Sequence, residues 1–136
     1  MPFGISETVI RWDKVTKSYS DFSAASLSND IEIYLLPEGS VIHGVVIKHS
    51  TSFSGGLIAS YTISVGIIGN LSKYAPSFSV SQAVSDTAFQ ATSCFYLENW
   101  GSSKSVRANA VSLIGLLNAD TQGEVEFYIG VSQPKQ

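Results

Sequence analysis

Residues 123–132, GEVEFYIGVS, alternate in a period of two: Val125, Phe127, Ile129 and Val131 fall on one side, Glu124, Glu126 and Tyr128 on the other. Successive side chains of an extended chain point to opposite faces, so this pattern predicts a strand with one buried and one wet face. The same period recurs in DIEIYLL, where Ile31, Ile33 and Leu35 oppose Glu32 and Tyr34. It recurs again in IASYTISVG, where Ala59, Tyr61, Ile63 and Val65 oppose Ser60, Thr62 and Ser64. Further strands are predicted at residues 8–12, 94–97 and 105–117, with weaker pieces at 22–28 and 87–92. Short half-buried strands must cover one another's apolar faces, and two packed sheets are the arrangement that does so.

The punctuation agrees with that reading. Pro37, Glu38 and Gly39 form a turn signal, proline presetting φ and glycine tolerating a positive one. Gly55 and Gly56 precede another strand, and residues 118–123 make a hairpin-length loop between the last two. One helical turn is predicted in NLSKYAP, capped by Asn70 and stopped by Pro76. The expectation is an all-β fold: one antiparallel β-sandwich domain over residues 1–136, jelly-roll-like, with eight or nine strands. Residues 1–20, less regular than the rest, are available as an N-terminal arm.

Two stretches break the rule. In VIHGVVIKHS, residues 41–50, one face carries Val41, His43, Val45, Ile47 and His49, and the other Ile42, Gly44, Val46 and Lys48. Residues 110–117 place Val111, Leu113 and Leu117 opposite Ala110, Ile114 and Leu116. A strand apolar on both sides needs a second cover besides the core. In a chain of 136 residues a neighbouring subunit is the economical source. A homo-oligomer is therefore expected, with Val46, Val111, Leu113 and Leu117 as interface candidates.

Charged residues are only 14% of the chain and the net charge is −3, with the eight basic residues scattered. Nucleic acid as a partner is excluded, because it demands a concentrated cationic face. No apolar run reaches the eighteen residues of a membrane-crossing helix. Serine, roughly a sixth of the chain and more than twice its usual share, makes the surface polar without charge. The single cysteine, Cys94, permits no internal disulfide, and the first residues carry no secretory signal, so synthesis in a cytoplasm is expected.

Chemical sites are not prominent. His43 and His49 point the same way on a regular strand but lie six residues apart, roughly 20 Å at ~3.3 Å per residue, too far for one metal ion. Cys94 sits in an apolar strand, where a thiol acts as a small hydrophobe. No serine occupies a GxSxG elbow, and no glycine-rich phosphate loop or calcium loop occurs. A carboxylate pair such as Glu98 and Asp120 leaves a small glycan hydrolase as a rival reading. No catalytic residue, metal or cofactor is expected. Loop-flanking aromatics, Trp100, Phe53, Tyr74 and Phe78, either contact a sugar or protein partner or plug the ends of the sandwich.

The series SYSDFSAAS, IEIYLLPEGSVIHGVVIKHSTSFSGG, YTISVGIIGNLSKYAPSF and the closing GEVEFYIGVS resembles small β-sandwich virion proteins of tailed bacteriophages, among them capsid decoration (cement) subunits. The resemblance spans about residues 18–132 and rests on turn motifs, none of them catalytic. It implies a non-enzymatic subunit, usually trimeric, on the exterior of the virion where subunits of the major capsid protein meet. A tail-associated module binding host glycans through Trp100 is the alternative that the resemblance leaves open.

Overall fold

The computed structural model describes residues 9–85, 89–97 and 104–132. Eight strands make it up: β1 (Arg11–Ser18), β2 (Ser28–Leu36), β3 (Val41–Ser54), β4 (Tyr61–Ile67), β5 (Asn70–Ser79), β6 (Phe89–Leu97), β7 (Lys104–Ser112) and β8 (Gln122–Ser132). The only helical pieces among the described residues are 3-10 turns at Tyr19–Phe22 and Leu117–Ala119. Neither could cross a membrane.

The strands form two four-stranded antiparallel sheets, in the order β1-β8-β3-β6 for the first and β2-β7-β4-β5 for the second. Pairing is nested: β1 lies on β8, β2 on β7, β3 on β6 and β4 on β5. The chain is thus doubled back as one long ribbon and rolled so that β8 meets β3 and β7 meets β4. That is the jelly roll, two Greek keys facing each other. Alternation supplies its core directly: Val125, Phe127, Ile129 and Val131 of β8 face Val106, Ala108 and Ala110 of β7 and Ile63 and Val65 of β4, all buried.

Several expectations shift. Residues 70–76 form the start of β5 rather than a helical turn. Gly69, at φ +95°, makes a tight turn that returns the chain from Ile67 to Asn70. Pro76 is tolerated because β5 is an edge strand, where a missing N–H costs no ladder bond. The strand predicted over residues 105–117 stops at Ser112, because residues 113–121 leave the second sheet and cross to the first. For the same reason residues 118–123 are no hairpin. In β2 a register shift between Glu32 and Tyr34 changes the phase, so Leu36 is buried and Leu35 exposed. Residues 89–92 and 94–97 of two predicted pieces merge in β6, residues 87 and 88 lie outside the described residues, and residues 22–27 hold no strand. Residues 11–18 of the prospective arm are strand β1, paired along its length with β8.

Candidate interaction surface

The first two-sided stretch is explained largely from within. In β3 a bulge sets Ile42 opposite Val131 and Gly44 opposite Gly130, leaving His43 as the extra residue. Ile42 and Val45 therefore both face the core, although strict alternation places them on opposite sides. The histidines separate, contrary to the regular-strand reading. His43 lies outward, with Nε2 2.7 Å from Ser132 Oγ and its ring edge-on to Phe95 at 5.4 Å. His49 points inward, packs on Phe78 and donates from Nε2 to the Gln82 carbonyl at 2.8 Å.

Outside the first sheet, Trp12, Gly130, Gly44 and Ser93 form one row across β1, β8, β3 and β6. The two glycines make a trough in which the Trp12 ring lies. A Cβ on Gly130 would meet three of its ring carbons at 2.8–3.0 Å, and one on Gly44 would lie 3.2 Å from its Cη2. The next rows hold Lys14, Tyr128, Val46 and Ala91, then Thr16, Glu126, Lys48 and Phe89. Tyr128 donates to Glu126 at 2.8 Å, and Lys14 stands 3.4 Å from that carboxylate. The Tyr128 hydrogen bond, helped by Lys14 and Lys48 and opposed by partial burial, holds the Glu126 carboxyl below its ordinary range. Val46 is half-buried in this setting. Val111, half-buried, lies in the outer row of the second sheet with Ser28 and Thr62. Beside that row the Arg107 guanidinium pairs with Asp30.

The second two-sided stretch has a different outcome. Residues 113–121 form a loop at one end of the sandwich, laced to its neighbours by backbone bonds. The Ser112 N–H donates to Leu27 O at 2.8 Å, Leu113 N–H to Ser60 O at 3.3 Å, and Leu117 N–H to Ser26 O at 2.9 Å. Gly115, at φ +88°, sits against the Leu57–Ile58 backbone, where a Cβ would come within 2.9 Å of Ile58 N. The exposed residues of this end, in 23–27 (SAASL), 55–60 (GGLIAS) and 113–119 (LIGLLNA), include no charged side chain. Leu57 and Leu113 are 80% and 73% exposed, with Ile114, Leu116 and Leu27 also open to water. Contiguous exposed apolar surface of this kind marks an interaction site more often than an accident.

Beneath this end lies an aromatic plug. Phe53 packs between Phe22, edge-on at 6.4 Å, and Tyr61, tilted at 4.7 Å, and Leu117 is fully buried beside this plug. Asp120 is sealed in with them. Burial raises its carboxyl to about 6, partly offset by backbone N–H groups of Gln122, Thr121 and Ser54, none of which reaches hydrogen-bond geometry. The Tyr61 hydroxyl, also without a hydrogen-bond partner, is pushed far above the ordinary phenol range, by burial first and the Asp120 charge second.

Of the residues singled out in sequence, Leu113 lies on the exposed end, and Val46 and Val111 on the two outer faces. Phe53, Tyr74, Phe78 and Leu117 are buried, Phe53 in the plug and Tyr74 and Phe78 within β5. Trp100 and Glu98 lie outside the described residues. Leu57, Leu27 and Trp12 were missed. Gly44 and Gly130 inside two strands were the available signal for Trp12, since a strand glycine marks close approach. Among the described residues no three His, Cys, Asp or Glu side chains gather as a metal site, and burial raises the Cys94 thiol, away from nucleophilic use.

No family model and no curated protein matches the chain. Solved structures do. A chain of the cyanophage Pam1 capsid asymmetric unit superposes with a TM-score of 0.66 at 16% identity, over 93% of this chain and 86% of that one. A chain of the acidic stable capsid structure of Helicobacter pylori bacteriophage KHP30 gives a TM-score of 0.57 at 19% identity, over 94% and 93%. The chain shares its fold with a chain from each of these two phage capsid structures. The coverage runs high in both directions, so the matched chains are close to this one in length. At these identities the likeness is one of fold.

Proposed function

We propose that the chain is a virion structural protein, a capsid decoration or cement subunit on the outside of the shell that stabilises it by bridging subunits of the major capsid protein. The observation that carries this is the uncharged apolar end built from Leu27, Leu57, Leu113, Ile114 and Leu116. It costs free energy while wet, and it is seated on the buried aromatic plug of Phe22, Phe53 and Tyr61. The similarity in fold and length to chains of two phage capsids supports the setting. Cement of this kind acts by mass action: contacts that exist only on the assembled shell lower its free energy relative to the dissociated subunits. Three copies about one axis is the arrangement the family resemblance implies, and no enzymatic step is required of any residue.

The test adds purified protein to capsids prepared without it. Saturable co-sedimentation and a higher capsid melting temperature are expected. Capsids that neither bind the protein at micromolar concentration nor gain stability would sink the reading. Saturable glycan binding lost on Trp100→Ala would then favour the tail-associated module. Polysaccharide cleavage lost on Asp120→Asn would favour the hydrolase.

A further inference from the structure

Four strands end the two sheets: β1 and β6 in the first, β2 and β5 in the second. An edge strand presents unpaired backbone groups to any passing strand, and proteins blunt such edges with charge or proline. Three of these four are blunted. β1 carries Arg11, Asp13, Lys14 and Lys17, β2 carries Asp30 and Glu32, and β5 carries Lys73 and Pro76. β6, FQATSCFYL, has no charged residue and no proline over its whole length, and its one irregularity is the extra residue it carries against β3 between Ser93 and Tyr96. Its outward row, Phe89, Ala91, Ser93, Phe95 and Leu97, is exposed throughout, Phe95 at 70%. Among the described residues no strand pairs with it on the side away from β3.

We infer that the free edge of β6 pairs antiparallel with β6 of a second copy, about a two-fold axis at Ser93, joining two first sheets into one of eight strands. The sequence of β6 is self-complementary in that register. Phe89 meets Leu97, Ala91 meets Phe95, and Ser93 meets Ser93 on the outer face; Gln90 meets Tyr96 and Thr92 meets Cys94 on the inner. On the outer face apolar pairs flank a central pair of serines, and no like charges meet. A two-fold contact is isologous, so one unblunted edge per copy suffices. A foreign strand would need its own matching row, whereas a second copy supplies it. The pairing uses a different surface from the apolar loop end, so it is compatible with a three-fold contact elsewhere and would tie such trimers together.

Oxidative cross-linking tests it, in a Cys94→Ser background. Ser93→Cys places two thiols face to face across the axis, and a disulfide dimer should form roughly tenfold faster than for Thr16→Cys, an exposed control on the blunted edge of the same sheet. Equal rates for the two would overturn the pairing. Charge gives an independent reading that does not depend on thiols. Ser93→Lys alone and Ser93→Glu alone should each weaken self-association, measured by sedimentation equilibrium, by roughly fivefold, and an equal mixture should regain it. If the separate variants associate as the parent does, or the mixture recovers nothing, β6 is not the contact. Both outcomes are independent of capsid binding, which a dimer-deficient protein can still show.

Discussion

Two stretches with the same sequence signature, apolar on both alternating faces, end in opposite situations. Residues 41–50 lie in β3, where a bulge turns Ile42 and Val45 both inward and the Trp12 ring lies over the glycine on the outer face. Residues 113–117 form no strand at all and hold Leu113, Ile114 and Leu116 out into water above a buried Leu117. The first is a two-sided pattern satisfied mostly within the chain. The second is left unsatisfied. A neighbouring subunit was the explanation expected for both, and the proposals made above place one only at the loop end and at the exposed row of β6.

The largest effect that can test this contrast comes from Asp120. If the loop end is a sealed plug rather than a loose flap, its carboxyl is truly desolvated. Its folded pKa of about 6 lies above the ordinary carboxylate value of 3.8, so the folded state holds the proton more tightly than the unfolded one. The Asp120 contribution is then most favourable below about pH 4, declines as pH rises towards about 6, and is level above that. The loss is on the order of 2–3 kcal/mol at ~1.4 kcal/mol per unit. Urea unfolding at intervals from pH 4 to 7 should show that decline relative to Asp120→Asn, which removes it and is more stable at pH 7. Parallel profiles for the two proteins would mean that water reaches Asp120 and the end is loose.

Next in size is Trp12. A ring lying across Gly44 and Gly130 covers backbone that would otherwise be wet, although it is itself 52% exposed. Trp12→Ala should cost about 2 kcal/mol, below the usual range for a fully buried tryptophan. A cost below ~0.5 kcal/mol would show that the ring is not a cover, and the outer face of β3 would then require a subunit. Gly130→Ala probes the same contact more gently. Its Cβ must displace ring carbons now 2.8–3.0 Å away. A cost of about 1 kcal/mol is expected, with a red shift in Trp12 fluorescence measured in a Trp100→Phe background.

These outcomes bear on what could be read from sequence. β8 was legible because nothing disturbs its alternation: Val125, Phe127, Ile129 and Val131 are buried as the pattern demands. The faces of β3 were not, because a bulge is a property of two paired strands, here His43 and Gly44 against Gly130, and one strand cannot announce it. Phe53 was placed beside a loop because the length of β3, which continues to Ser54, depends on its pairing with Gln122. Residues 70–76 were misread because a cap and a proline stop resemble a helical turn locally, while only the sheet order reveals an edge strand that tolerates the proline. The all-β sandwich of eight or nine strands followed from period and punctuation, while the strand order that makes it a jelly roll is visible only in the pairing. The interaction surface was half visible: Leu113 from its pattern, but not Leu57 or Leu27, which three separate loops bring to the same end.

The smallest effect on stability is also the most informative about function. Leu57 and Leu113 are so exposed that folding gains little from them, and polar replacements on such surfaces usually change stability by no more than ~0.5 kcal/mol. The double variant Leu57→Ser with Leu113→Ser should therefore melt within a few degrees of the parent and be more soluble, since it removes apolar area from water. If the loop end is the docking surface, the same variant should lose capsid binding by tenfold or more, about 1.4 kcal/mol. Trp12→Ala should show the reverse, a less stable fold that still binds. Binding lost with Trp12 and kept without the two leucines would exchange the roles of the two regions, making the covered face the contact and the bare end mere surface.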